Sequence, residues 1–408
     1  MTLILRTTCR SCDGTLQPFL ALGSQPLANR LRRDHDPAPV ATYPLTLCRC
    51  VDCELVQLRE VVDSAILFAD YNYVPSTSST MREHFDAFAE ATVGRLQLTE
   101  RDLVVDVGSN DGLLLSCFRR RGIRVQGIEP AGHLAERATA QGIPTRAAFF
   151  GRELARELAD VHRASLVTAT NVFAHVDDVR GFIRAAFDLL APDGVFMVEV
   201  QSFADTVSSL AFDMTYHEHM TYYATASLAR LCDVEGVVLL DVERVPTHGG
   251  SLRATIGRPG HPLARPDRIA ARIAEEGERA GPAGCEQLAL GAAAVRRELQ
   301  QLLRTLNADG ARVAGYGAPA KATVLLNYCG LDANDVRYIV DRNEAKQGQR
   351  IPGANIPVVG PGRLSDDPPT HLLLLAWNLA DEIVHEQAAF AAAGGRFVVP
   401  VPHPRLLD

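Results

Sequence analysis

Val104-Val105-Asp106-Val107-Gly108-Ser109-Asn110-Asp111-Gly112-Leu113 decides the fold class. The valines read as a buried strand, and Asp106 is a polar residue set near its end. Gly108 and Gly112 follow in a turn, and Leu113 to Arg121 reads as a helix that stops at Gly122. Glycines at the carboxyl end of such a strand let the backbone come close to a ligand. The spacing is Gly-x-x-x-Gly, so the dinucleotide fingerprint is absent, and an acidic strand end would repel a pyrophosphate. Further strands at Val125 to Glu129, Leu166 to Thr170 and Val195 to Val200 alternate with helices, Phe182 to Leu190 among them. This alternation predicts a parallel sheet flanked by helices, an α/β fold.

Glu129 ends the second strand, where a carboxylate can accept hydrogen bonds from both hydroxyls of a ribose. An acidic strand end, a glycine turn and a second acidic strand end together describe an S-adenosylmethionine site. Asp106, Gly108, Asn110, Gly112, Glu129 and Asn171 are its candidate residues, with Asp106 or a neighbour toward the amino-acid part. The turn Leu190-Ala191-Pro192-Asp193-Gly194 resembles methyltransferases at the same sheet position.

The chain has 408 residues, 47% hydrophobic and 22% charged, which suits a globular protein of several domains. Its formal net charge of −8 and the lack of a Lys/Arg-rich run argue against nucleic-acid binding. Apolar runs such as Leu372 to Trp377 are far shorter than the roughly 20 residues that span a bilayer. No signal-peptide pattern opens the chain, so a cytoplasmic location is expected, and the chain is expected to be a monomer or a weak homo-oligomer.

Five of the nine cysteines lie within the first 53 residues. Cys9-x-x-Cys12 and Cys50-x-x-Cys53 supply the four soft ligands of a tetrahedral zinc site. With every position a thiolate, none is left for water, so the zinc is expected to be structural. Cys48 is a fifth candidate at a poor spacing. A redox pair or plain buried cysteines are the competing readings. Residues 1–63 thus read as a zinc module, 64–245 as the cofactor domain with a helix near Met81 to Leu96, and 246–408 as a second α/β lobe. In that lobe residues 265–306 read as helical, and Arg312 to Tyr316, Val336 to Val340 and Leu372 to Ala376 as strands.

Tyr216-His217-Glu218-His219 is the densest polar constellation. Methylation of carbon requires proton removal next to a carbonyl, hence a base of near-neutral pKa and donors for the oxyanion. Histidine suits the first role, histidine or tyrosine the second, and Asn171 and His175 follow a strand toward the same rim. The spacing does not separate His217 from His219. In the last lobe Gly315-x-Gly317 with Asp341 could mark a redox dinucleotide site, but Ala320 stands where the third glycine belongs. Lys321 and the backbone after Gly315 read as a phosphate site, with an ordinary lysine at a helix N-terminus as the competing reading. His248-Gly249-Gly250-Ser251 reads as a turn rather than a metal site, since no partner histidine has a suitable spacing.

The chain resembles the three-domain sugar C-methyltransferases that make branched deoxysugars on nucleoside diphosphates. The resemblance rests on the two CxxC pairs, Cys53-Glu54-Leu55-Val56-Gln57-Leu58, Tyr71-Asn72-Tyr73, the Val105 to Gly112 string and Tyr216 to His219. His248-Gly249-Gly250-Ser251-Leu252-Arg253, Gly315-Tyr316-Gly317-Ala318-Pro319-Ala320-Lys321 and Asp341-Arg342-Asn343 extend it to the last lobe. It implies structural zinc, S-adenosylmethionine in the middle domain, and a dTDP-linked 4-keto-deoxysugar between the middle and last domains, methylated at C3. It also implies His219 as base, with Tyr216, Glu218, His175 and Tyr71 or Tyr73 nearby, and His248, Gly249, Gly250, Ser251, Tyr316 and Lys321 toward the substrate. Glu54 stands where the family often has glycine, and Pro75 interrupts a serine-rich stretch. Methylation of oxygen or nitrogen in another small molecule, and a catalytically silent scaffold, are the alternatives.

Overall fold

The computed structural model describes residues 3–33, 36, 39–67 and 74–407. Tyr71 and Tyr73 lie outside the described residues, as does the side chain of His248.

The central sheet has seven strands in the order Val238–Val245, Ser251–Gly257, Leu190–Gln201, Ala164–Thr170, Leu103–Val107, Arg124–Ile128 and Thr145–Arg146. The last five run parallel, and the first two form an antiparallel edge. Val104, Val105 and Val107 are buried, as a central strand covered on both faces requires. Gly112 sits at φ +78 and opens the helix Leu113–Arg120. Strand Ser251–Gly257 belongs to this central sheet, although the reading of the sequence put it in the last region. A second difference is that residues 265–306 form two helices, Pro266–Glu276 and Pro282–Ala308. Gly277 at φ +52 and Gly281 break the run, and each helix begins with proline in its first turn, where the missing N–H costs nothing.

The last sheet orders Arg405–Leu407, Arg396–Val399, His371–Leu374, Val313–Tyr316, Ile339–Val340, Pro357–Val359, Gln349–Arg350 and Arg32–Arg33. Its outer strand comes from the first region. The first region's own sheet, Leu16–Pro26, Thr42–Cys50 and Val56–Leu58, is in turn extended by Thr221–Tyr222 from the middle of the chain. One apolar cluster bridges the first, middle and last regions, with Leu45, Leu47 and Phe203 beside Val313 and Leu325. The three regions are therefore laced together by exchanged strands, and the space they enclose is the site.

Inside the central sheet, Glu199 is fully buried and is held by Arg253 at 2.6 Å and His84 at 2.8 Å. Paired this way, a buried charge avoids the cost of standing alone. The pairing pins the helix Ser79–Leu96 against the sheet. Arg253, the end of the His248 to Arg253 string, thus has a structural task.

Candidate active site and metal centre

The four thiolates Cys9, Cys12, Cys50 and Cys53 converge, all within 4.8 Å of one another. Sγ separations of 3.5 Å for Cys9–Cys53 and Cys12–Cys50 come close to the edge of a tetrahedron built on Zn–S bonds of about 2.3 Å. The two knuckles are copies of one another. Asp13 N–H donates to the Cys9 carbonyl and Glu54 N–H to the Cys50 carbonyl, while Cys9 N–H reaches the Gly14 carbonyl and Cys50 N–H that of Leu55. Asp13 and Glu54 hold the same left-handed φ, 60 and 62. That left-handed conformation is the one glycine adopts most readily. Ser11 N–H and the Gln57 amide also donate to the Cys9 sulfur, at 3.3 and 3.1 Å, as partners of a metal thiolate do. Cys48 is buried outside this group. Arg10, inside the first knuckle, reaches Asp177 at 3.0 Å and so ties the metal site to the loop that follows His175.

One continuous cavity of about 1900 Å³ opens at the carboxyl ends of the central strands. Its volume exceeds the roughly 300–1,000 Å³ of a site for one small molecule, so two ligands fit side by side. At one end lie Asp106, Gly108, Ser109, Asn110, Glu129 and Asn171. Glu129 accepts the backbone N–H of Asn110 at 2.9 Å and of Ala131 at 2.8 Å, so both its oxygens are fixed while each keeps capacity for a further donor. Burial pushes its carboxyl upward against those two bonds. Asp106 accepts the Thr168 hydroxyl at 2.6 Å, and burial lifts its carboxyl to about 7. A cation brought beside it would restore the charge. Gly108, at φ +67, leaves no room for a side chain, since a Cβ there would stand 2.4 Å from Val172.

The Tyr216 to His219 string divides. Tyr216, Glu218 and His219 line the cavity, and His217 does not. His217 is buried, its Nε2–H donates to the Pro44 carbonyl at 3.1 Å, and its ring packs edge-on against Tyr43. It belongs to the seam with the zinc module. His219 Nδ1–H donates to the Met214 carbonyl at 3.1 Å, which fixes the tautomer and leaves the lone pair of the neutral ring on Nε2. Its ring stacks on His175 at 5.1 Å between centroids and lies against Tyr216 at 3.9 Å. Burial holds His175 down to about 4, so it is neutral at pH 7.

Nearly the whole chain, 98% of it, aligns at 38% identity with 96% of C-methyltransferase NovU from Streptomyces niveus. The chain belongs to this C-methyltransferase family. Models of a zinc binding domain, a methyltransferase domain and a C-methyltransferase C-terminal domain match residues 9–68, 81–241 and 246–402. A ubiquinone biosynthesis O-methyltransferase of Neisseria meningitidis is 28% identical over 36% of this chain and 67% of its own length. The protein is thus an S-adenosylmethionine-dependent C-methyltransferase with a zinc module.

In this C-methyltransferase four expected ligand residues lie off the cavity. Gly112 packs toward Ile143 and Ala138 as the start of its helix. Gly250, at φ +121, is pressed against Asp205, and Ser251 is buried in the strand with its hydroxyl on the Thr247 carbonyl. Tyr316 alternates to the far face of its strand, packs with Tyr338 and Leu374, and accepts the Gln387 amide at 3.1 Å. Gly249 and Lys321 do line the cavity. Sequence reasoning missed Asn29, whose amide donates to Glu218 at 3.1 Å, and Lys346, which donates to the Ala318 carbonyl at 2.8 Å. It also missed Trp377 and Asn378. These residues carried no local signal, because each reaches the cavity only through the folding of another region. Among the described residues no helix is long and apolar enough to cross a membrane.

Proposed function

We propose that the enzyme methylates a dTDP-linked 4-keto-deoxysugar at C3, next to the ketone. The observation that carries this reading is His219, a histidine of fixed tautomer lining the same cavity as the cofactor residues. The C4 ketone acidifies the neighbouring C–H. Nε2 of His219 takes the proton, and the electrons of the C–H bond pass into an enolate. Tyr216 is the hydroxyl donor beside the base for the enolate oxygen, and neutral His175 supplies a further N–H. S-adenosylmethionine, which Asp106, Asn110 and Glu129 would hold, would supply an electrophilic methyl to the enolate carbon, with neutral S-adenosylhomocysteine as the leaving group. The buried carboxyl of Glu218, raised by burial, accepts the Asn29 amide at the cavity wall, and its second oxygen has no partner among the described residues and is available to a hydroxyl or amine of the sugar. Lys321, Lys346 and Arg30 line the cavity with positive charge suited to a diphosphate. Tyr71 and Tyr73 complete the proposed set.

Turnover of a small panel of dTDP-4-keto-deoxysugars, with product mass and the NMR position of the new methyl, tests the reading. A methyl on C3 is the expected result. A methyl on C5, the other carbon next to the ketone, keeps the chemistry and overturns the position. A methyl on oxygen or nitrogen, with no exchange of the carbon-bound proton into heavy water, overturns the mechanism.

A further inference from the structure

The turn that aims the base also reaches the last region, through a buried carboxyl group. Asp213 lies in the 3-10 turn Phe212–Met214 and is fully buried. Its carboxylate accepts the indole N–H of Trp377 at 2.7 Å. The Lys321 ammonium sits 3.8 Å from the centre of the Trp377 ring and donates to the Asn378 side-chain oxygen. Lys321, Trp377 and Asn378 all line the cavity. Met214, the residue next to Asp213, provides the carbonyl that receives the His219 Nδ1–H. One peptide unit therefore separates the bond to Trp377 from the contact with the base.

A buried carboxylate is costly unless it is paired, and an indole N–H could be satisfied by a neutral oxygen. The charge needs another reason. Burial pushes the Asp213 carboxyl up, and the charge of Lys321 is the largest influence opposing it. Lys321 is in turn lowered to about 8 by burial, with Asp213 opposing that. Each group opposes the other's loss of charge across the seam between the base-bearing turn and the last region. An anion arriving at Lys321 meets a lysine whose charge Asp213 already shares.

We propose that Asp213 is a positioning residue: bonded to Trp377, whose ring carries the Lys321 ammonium, it holds the Met214 carbonyl that aims His219, and it does so at the expense of affinity for the anionic end of the substrate. The inference rests on the nucleoside-diphosphate reading given above. It assigns Asp213 effects of opposite sign on binding and on turnover, which loss of a merely structural contact does not produce, since that weakens both.

Trp377 is the single tryptophan of the chain, so its emission reports on this cluster alone. Asp213→Asn keeps an oxygen for the indole N–H and removes the charge facing Lys321. Titration with dTDP is expected to change Trp377 emission in the wild type, and Asp213→Asn is expected to bind dTDP at least as tightly. Exchange of the substrate's carbon-bound proton into heavy water, and kcat, are expected to fall about 10–100-fold, taking as a guide the loss on removing a partner that orients a metal ligand. S-adenosylmethionine affinity by calorimetry should not change. Trp377→Phe removes the N–H and leaves both charges in place. It should slow exchange without the gain in dTDP affinity, read by calorimetry. Parallel losses of dTDP affinity and exchange in Asp213→Asn, or wild-type values of both, overturn the inference. A wild type that neither binds dTDP nor exchanges a proton from any 4-keto sugar refutes the substrate reading instead.

Discussion

Replacing His219 and His217 in turn by asparagine separates catalysis from architecture. In His219→Asn the amide keeps the approximate shape and can still donate to the Met214 carbonyl, but the basic nitrogen is gone. A positioned base contributes about 10²–10⁴ in rate, and at about 1.4 kcal/mol per tenfold this is about 3–5 kcal/mol of transition-state stabilisation. Stability should hardly change, because His219 lies at the cavity wall. In His217→Asn the bond to the Pro44 carbonyl and the edge contact with Tyr43 are lost from a buried seam. One neutral hydrogen bond and an orphaned carbonyl are worth about 1–3 kcal/mol. The variant should melt earlier and still exchange the substrate proton at close to the wild-type rate. The assay is deuterium uptake at the substrate carbon, followed by mass spectrometry, beside methyl transfer and a melting curve. If His217→Asn abolishes exchange while His219→Asn retains it, the assignment of the base fails. If neither changes exchange, the proton goes to a different group, with Glu218 next in line.

Glu129→Ala should weaken S-adenosylmethionine binding by the two ribose hydrogen bonds proposed for it, each about 1.5–3 kcal/mol when the acceptor is charged, and unchanged affinity in calorimetry would mean the ribose is held elsewhere. Cys50→Ser, or removal of zinc by a chelator, should lower the melting temperature and the activity together, since the first knuckle also carries Arg10 to Asp177 beside His175; metal-free protein with an unchanged melting temperature and full turnover would contradict a structural zinc. Asp106 gives a pH signature. Its folded carboxyl, raised to about 7, holds a proton that the unfolded chain has already lost above about 3.8, so stability of the cofactor-free protein should fall as pH rises through that window. Asp106→Asn should flatten this slope in melting temperature against pH, and an unaltered slope would show that Asp106 is not the group responsible.

Legibility of the fold followed the range of the interactions. The glycine turn, the strands around it and the CxxC pairs were readable because each is set by neighbours within a few residues. The break between Pro266–Glu276 and Pro282–Ala308 also had a local signal, Gly277 and Gly281-Pro282, that the helical composition outweighed. That Ser251–Gly257 pairs into the central sheet was not legible, because nothing in a strand's own residues says which sheet it joins. Its pairing with Leu190–Gln201 is a long-range choice made by burial.

The sequence by itself determined that four thiolates would gather, that a carboxylate would stand at each of two strand ends, and that a polar cluster would follow the cofactor sheet. It did not determine which member of that cluster meets the cavity. His217 and His219 are two residues apart with the same chemistry, and only the packing of the turn against Tyr43 and Pro44 on one side and His175 on the other assigns them. Likewise Asn29 reaches Glu218 from 189 positions away, and Trp377 reaches Asp213 from 164. Such pairs carry no local periodicity or propensity. They form because burying three regions in one core leaves polar atoms that must find their partners across it.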